Sequence, residues 1–155
     1  MHKWLGLAAL VTLLDQISKW AILASLPLYT RIEITGFFNL VHVRNEGAAF
    51  SLLADQPGWQ RLFFIALSLT VSGFIVWWLR KPAPTRQHTA FALILGGALG
   101  NVIDRIIHGN VVDFLDFHLL GWHWPAFNVA DSAIVLAAGI LIWISFRPPH
   151  DSNPP

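Results

Sequence analysis

The chain has 155 residues, 55% of them hydrophobic and only 12% charged, where a soluble domain is roughly a quarter charged. Mean hydropathy is +0.55 and formal net charge +1, which points to a single integral membrane domain, and no basic run suggests a nucleic-acid partner. The absence of cysteine excludes disulfides, thiolate metal sites, a cysteine nucleophile and lipid modification on cysteine.

A helix crosses the hydrocarbon core with ~20 mostly apolar residues. Four segments qualify, and the first runs over 4–26. Its start, "MHKWLGLAALVTLL", resembles a signal peptide, but no A-x-A site follows and apolar character resumes after Lys19. It is read as a retained first span. Within it, Asp15 and Lys19 are four residues apart, so they share a face and can pair. An orienting ion pair and a direct catalytic role both fit that spacing. Next, 27–58 contains "RIEITGFFNLVHVRNEGAAFSLL", with β-favouring stretches broken at Gly36 and Gly47. A small β-structure lying on the outer membrane surface is expected there.

The second span is 59–79, with Arg61 at its outer lip, and the third is 87–107. In the third, Gly96 and Gly100 form a G-x-x-x-G, which permits close helix contact. Asn101, Asp104 and Arg105 follow on one face, as a polar patch toward the bundle interior. Residues 108–125 are read as a short outer helix or loop. Asp113 and Asp116 lie there, and would share a face if the stretch is helical. The fourth span is 126–146. Asn128 suits its N-cap, but capping leaves Asp131, set deep in an apolar run, unexplained. The proline-rich tail, 147–155, reads as disordered. No internal repeat is present.

Tryptophans sit near most of these ends (Trp4, Trp59, Trp77, Trp78, Trp122, Trp124 and Trp143), as an interfacial belt requires. Four spans put both termini on one side. Lys3, Arg80, Lys81, Arg86 and Arg147 flank that side, against Arg31, Arg44 and Arg61 on the other and Arg105 near the boundary; this modest bias favours both termini in the cytoplasm, with 27–58 and 108–125 outside.

Ionisable residues within a membrane are costly and mark function by default. Two carboxylates brought together at an apolar boundary share one proton, because adjacent like charges resist double ionisation. One is then a base and the other an acid, as peptide hydrolysis by activated water requires. An ion-coupled transporter or channel subunit uses similar buried acids and is the alternative. Composition does not choose between Asp113 and Asp116. No H-E-x-x-H, G-x-S-x-G or glycine-rich phosphate cradle is present.

Five blocks in order resemble bacterial lipoprotein signal peptidase (signal peptidase II). They are "DQISK" (15–19), "VRNEGAAFS" (43–51), "GNVIDR" (100–105) with "VVDF" (111–114), and "FNVADS" (127–132). The resemblance implies a mainly α membrane protein of four transmembrane helices with a β-containing outer subdomain. It implies an aspartic endopeptidase that cuts diacylglyceryl-modified prolipoproteins just before the lipidated cysteine. It assigns the catalytic pair to Asp113 and Asp131, choosing Asp113 over Asp116, which lies outside "VVDF". Supporting or substrate-binding roles fall to Asn45, Gly47, Asn101, Arg105 and Asn128, and a structural polar network to Asp15, Lys19 and Asp104. No metal, cofactor or covalent intermediate is implied. The expected partners are the lipidated prolipoprotein and membrane phospholipid, and the expected state is a monomer in the bacterial inner membrane with its site near the outer face. Asp116 and "WHWP" (122–125) match none of the blocks.

Overall fold

The structure is a computed structural model that describes residues 1–47 and 58–146. The end of the "VRNEGAAFS" block, from Ala48 on, and the 147–155 tail lie outside the described residues. Four helices, α1 (His2–Ser25), α2 (Trp59–Trp78), α3 (Thr85–His108) and α4 (Val129–Ser145), run antiparallel in sequence order. Trp4 of α1 lies 5.4 Å from His88 at the start of α3, and Arg86 of α3 lies over Trp143 at the end of α4. At the opposite end, Arg61 of α2 donates to the Ile106 carbonyl of α3.

The bundle is apolar outside and polar within. Leu13, Leu14, Ile17 and Trp20 of α1 and Leu62, Leu67 and Phe74 of α2 are exposed, whereas Asp15, Lys19, Asn101, Asp104 and Asn128 are buried. In water this distribution would be reversed. α1, α2 and α3 are each long and apolar enough to cross a membrane; α4 is apolar but has 17 residues. It starts after Asn128 because the preceding Phe127 is bound to strand backbone, its N–H donating to the Leu115 carbonyl.

α3 is the central helix, packed against the other three, and its glycines allow this. A β-carbon on Gly96 would lie 2.6 Å from the Ala8 carbonyl of α1, and one on Gly97 would lie 2.5 Å from the Ala130 carbonyl of α4. Close backbone approach is the reason for small residues at such crossings. The Thr12 hydroxyl uses it, donating to the Gly96 carbonyl at 2.9 Å. Trp4, Ala8, Ile75, Leu79, Ala92 and Leu95 fill the space at the terminal end of the bundle.

The other end carries a four-stranded antiparallel sheet in the order β1 (Arg31–Thr35), β2 (Phe38–Asn45), β3 (Val111–Leu119), β4 (Trp122–His123). Val112 and Phe114 of β3 pack on Ile22 of α1 and on Leu26 just past its end, seating the sheet on the helix ends. The outer helix or loop expected over 108–125 is therefore corrected to a hairpin. Gly109, at φ +83°, caps α3 in the left-handed region open to glycine and turns the chain directly into β3.

Candidate active site

Strand geometry separates the two acids that a helix would have aligned. Successive side chains of a strand point to opposite faces, so Asp113 and Asp116, three apart, face opposite ways. Asp113 is opposite Val43 and bonds to Asn45 and Asn128. Asp116 is opposite Asn39, on the face it shares with Val112 and Phe114, and bonds to Asn39 and His123.

Beneath Asp113 lies a network centred on Lys19, which is 2% exposed. Its ammonium is 2.8 Å from Asp15 Oδ2, 3.0 Å from Asp104 Oδ2, and donates to Asn101 Oδ1 at 2.9 Å. All three ammonium protons therefore have acceptors. The paired acids hold the next elements in turn. Asp15 accepts the Ala130 N–H of α4 at 2.8 Å, and Asp104 accepts the Val112 N–H of β3 at 2.9 Å. One lysine thereby fixes α1, α3, α4 and β3 against one another. Gln16, which was not singled out from the sequence, adds bonds to the Gly100 carbonyl and to Asp104. A polar residue beside Asp15 in an apolar helix was the available signal.

This network orients two asparagines. Asn101 turns its oxygen to Lys19, so its amide N–H faces Asp131 and donates to Oδ1 at 2.8 Å. Asn128 turns its oxygen to the Asp131 backbone N–H as the N-cap of α4, so its N–H₂ donates to Asp113 Oδ1 at 2.7 Å. Asn128 also reaches Asn101 Oδ1 at 3.3 Å. A continuous bridge, Asp113–Asn128–Asn101–Asp131, joins the carboxylates of a strand and a helix.

Asn45 of β2 donates to the other oxygen, Asp113 Oδ2, at 3.0 Å and accepts the Gly47 N–H. Arg105 donates to the Gly47 carbonyl at 2.8 Å and lies over the Phe64 ring. Every residue expected at the site is thus gathered here, either around the two carboxylates or in the Lys19 network below them.

Burial and the neighbouring Asp131 carboxylate push the pKa of Asp113 up to about 7, against the opposing pull of the Asn45 and Asn128 amides. At Asp116 burial also pushes upward, but the Asn39 and His123 donors, with Arg31, outweigh it and hold that carboxyl below its usual range. Asp113 is suited to hold or release a proton near neutrality, and Asp116 is suited to stay ionised. Among the described residues no group of three or more His, Asp or Glu is placed to hold a metal ion.

Comparison with known proteins places this arrangement in context. The family described as "Signal peptidase (SPase) II" matches residues 7–147. A lipoprotein signal peptidase of Aeromonas hydrophila is 53% identical over 94% of this chain and 89% of its own length. One from a Janthinobacterium species is 52% identical over 95% of this chain and 90% of its own. A solved bacterial membrane enzyme, determined by the in meso method at 2.3 Å, superposes with a TM-score of 0.87 at 28% identity, covering 100% of this chain and 94% of that one.

Proposed function

This chain belongs to the signal peptidase II family, and we propose that Asp113 and Asp131 are the aspartates with which it hydrolyses its substrate. It is a protease of the lipoprotein-processing pathway, removing signal peptides from prolipoproteins. The observation that carries the aspartate assignment is the bridge of Asn128 and Asn101, which links the two carboxylates in one hydrogen-bonded cluster at the edge of an apolar bundle.

In this reaction the pair holds one proton. The ionised aspartate accepts a proton from water as the oxygen attacks the scissile carbonyl. The protonated aspartate hydrogen-bonds the carbonyl oxygen as negative charge develops there. Collapse of the tetrahedral intermediate breaks the C–N bond, and a proton passes to the leaving amine. The pair titrates as a unit, so the proton belongs to both residues. Asn45 and the Gly47 backbone, held by Arg105, line the approach and supply groups suited to a peptide backbone.

The substrate is a prolipoprotein anchored by its signal helix and by a diacylglyceryl group on the cysteine after the cut. Its scissile bond lies near the outer surface of the inner membrane, at the sheet-bearing end of the bundle. Four spans support this placement. α4, at 17 residues, rises about 26 Å, at the short end of the ~17–25 residues that span a bilayer. Lys3, Arg80, Lys81 and Arg86 gather at the opposite end, and this positive charge supports a cytoplasmic location for it. The transporter alternative falls with the family membership, and Val11, Ala90, Leu93, Ala133 and Ala137 close the bundle below the polar network. Purified protein incubated with a lipidated and a non-lipidated prolipoprotein tests the reading. Cleavage of the lipidated form is expected, and equal cleavage of both would remove the lipid from recognition.

A further inference from the structure

Asp116 and the "WHWP" run match none of the family-like blocks, yet they meet in the structure. Asp116 is 5% exposed. Its Oδ2 accepts the Asn39 amide of β2 at 2.7 Å, and its two oxygens lie 2.9 and 3.0 Å from His123 Nδ1 of β4. An ionised carboxylate only accepts, so Nδ1 carries the hydrogen. One side chain therefore joins three strands. Arg31 of β1 is the cation nearby, and the His118 ring stacks on His123 at 4.9 Å.

The position of this cross-link matters for the site. Asp116 stands between Phe117 and Leu115, two of the β3 residues that hold the returning chain by backbone bonds; the Phe127 carbonyl also accepts from the Phe114 and Leu115 N–H groups. The Phe117 carbonyl accepts from Trp124 at 2.8 Å, and the Leu115 carbonyl accepts from Phe127 at 3.0 Å. Between Trp124 and Phe127 lies Pro125, which has no N–H to add a further rung. The next residue is Asn128, which caps α4 and binds Asp113. The path from the cross-link to the paired carboxylates is five residues of chain with no helix in it.

We propose that Asp116 and His123 form a latch that positions the 124–128 segment, and through Asn128 sets the geometry of Asp113 and Asp131. They are positioning residues that touch no reacting atom. The proposal rests on the aspartate assignment above. It explains why a buried ionised acid stands on the face of β3 turned away from the chemistry. It also gives the hairpin a role that its two-residue strand alone does not.

The test compares Asp116→Leu, Asp116→Asn, His123→Ala and His123→Gln on the full-length protein, with Asp113→Asn as reference. Small displacements of a reacting group carry large rate penalties. Asp116→Leu and His123→Ala are therefore expected to lower kcat about tenfold with little change in KM. Asp116→Asn and His123→Gln keep an acceptor and a donor at those places and retain most activity. A second readout separates positioning from plain stability. Asp113 is faced by Asp131 of α4, Asn45 of β2, Asn128 and Lys19 of α1, and Asn128 holds its pKa down. Loosening Asn128 moves the alkaline limb of the kcat/KM profile to higher pH. Unchanged kcat and an unmoved limb in folded Asp116→Leu and His123→Ala overturn the latch, even if both variants melt earlier. Should Asp116→Leu not fold, His123→Ala decides by the same two readouts. A fully active Asp113→Asn would instead overturn the catalytic assignment itself.

Discussion

Asn128 donates to the Asp113 carboxylate at 2.7 Å while its own oxygen accepts the Asp131 backbone N–H at 2.9 Å. One side chain thus holds the acid of a strand and the first turn of a helix in register. Asn128→Ala removes both bonds. Loss of an N-cap costs ~0.5–2 kcal/mol, and the unpaired Asp113 oxygen adds to it. Turnover is expected to fall at least about tenfold, beyond what the fraction unfolded explains. Cleavage kinetics beside thermal stability check this, and normal turnover in the folded fraction would remove Asn128 from the site.

The raised pKa of Asp113 gives the reaction a pH signature. A carboxyl with a pKa near 7 keeps its proton below that pH and loses it as the pH rises through 7. The mechanism needs one proton on the pair. kcat/KM is therefore expected to decline above about pH 7, because the pair becomes doubly ionised and no acid remains. A profile flat to pH 9, on a substrate that does not itself titrate, would contradict a single proton shared by the pair.

Lys19 pairs with two buried acids at once. Replacing it with Met leaves Asp15 and Asp104 facing each other without a cation. Breaking a buried pair from one side costs ~3–5 kcal/mol, so Lys19→Met should be strongly destabilised. Gly100→Ala should be destabilised for a steric reason, since the added carbon would lie 2.5 Å from Asp15 Oδ2. Thermal unfolding in detergent measures both, and a Lys19→Met protein as stable as the parent would show that the network contributes little.

Orientation is checked with a cysteine introduced into this cysteine-free chain. Glu33 is exposed on β1, at the sheet-bearing end. Glu33→Cys in intact cells or spheroplasts should react with a membrane-impermeant thiol reagent. Reaction only after the membrane is broken would put the sheet, and the aspartates with it, on the cytoplasmic side.

How far the structure was legible in the sequence depended on whether the signal was local. The helices were legible because apolar runs of membrane length are local, and α1, α2 and α3 lie within two residues of the expected bounds. The Asp15–Lys19 pair was legible for the same reason, four residues apart on one helix. β3 was not, because Val111, Val112, Asp113 and Phe114 are all buried. A strand covered on both faces loses the alternation that would reveal it. Without that alternation, Asp113 and Asp116 looked like neighbours on a helix face when they lie on opposite faces of a strand. The partners of Lys19 and Asn128 lie up to 85 residues away (Lys19 to Asp104) and follow only from the packing of α1, α3 and α4. Asn39 and His123 were missed because each acquires meaning only from Asp116, in a strand not yet recognised.

The most direct test of the central claim is cleavage of a lipidated prolipoprotein by purified Asp113→Asn and Asp131→Asn proteins whose folding has been verified. Asparagine keeps the size and hydrogen-bonding shape of each side chain but cannot exchange a proton. Both variants are expected to bind substrate and to show no detectable turnover. Near-parental turnover by either one would contradict the claim that these two carboxylates share the chemistry.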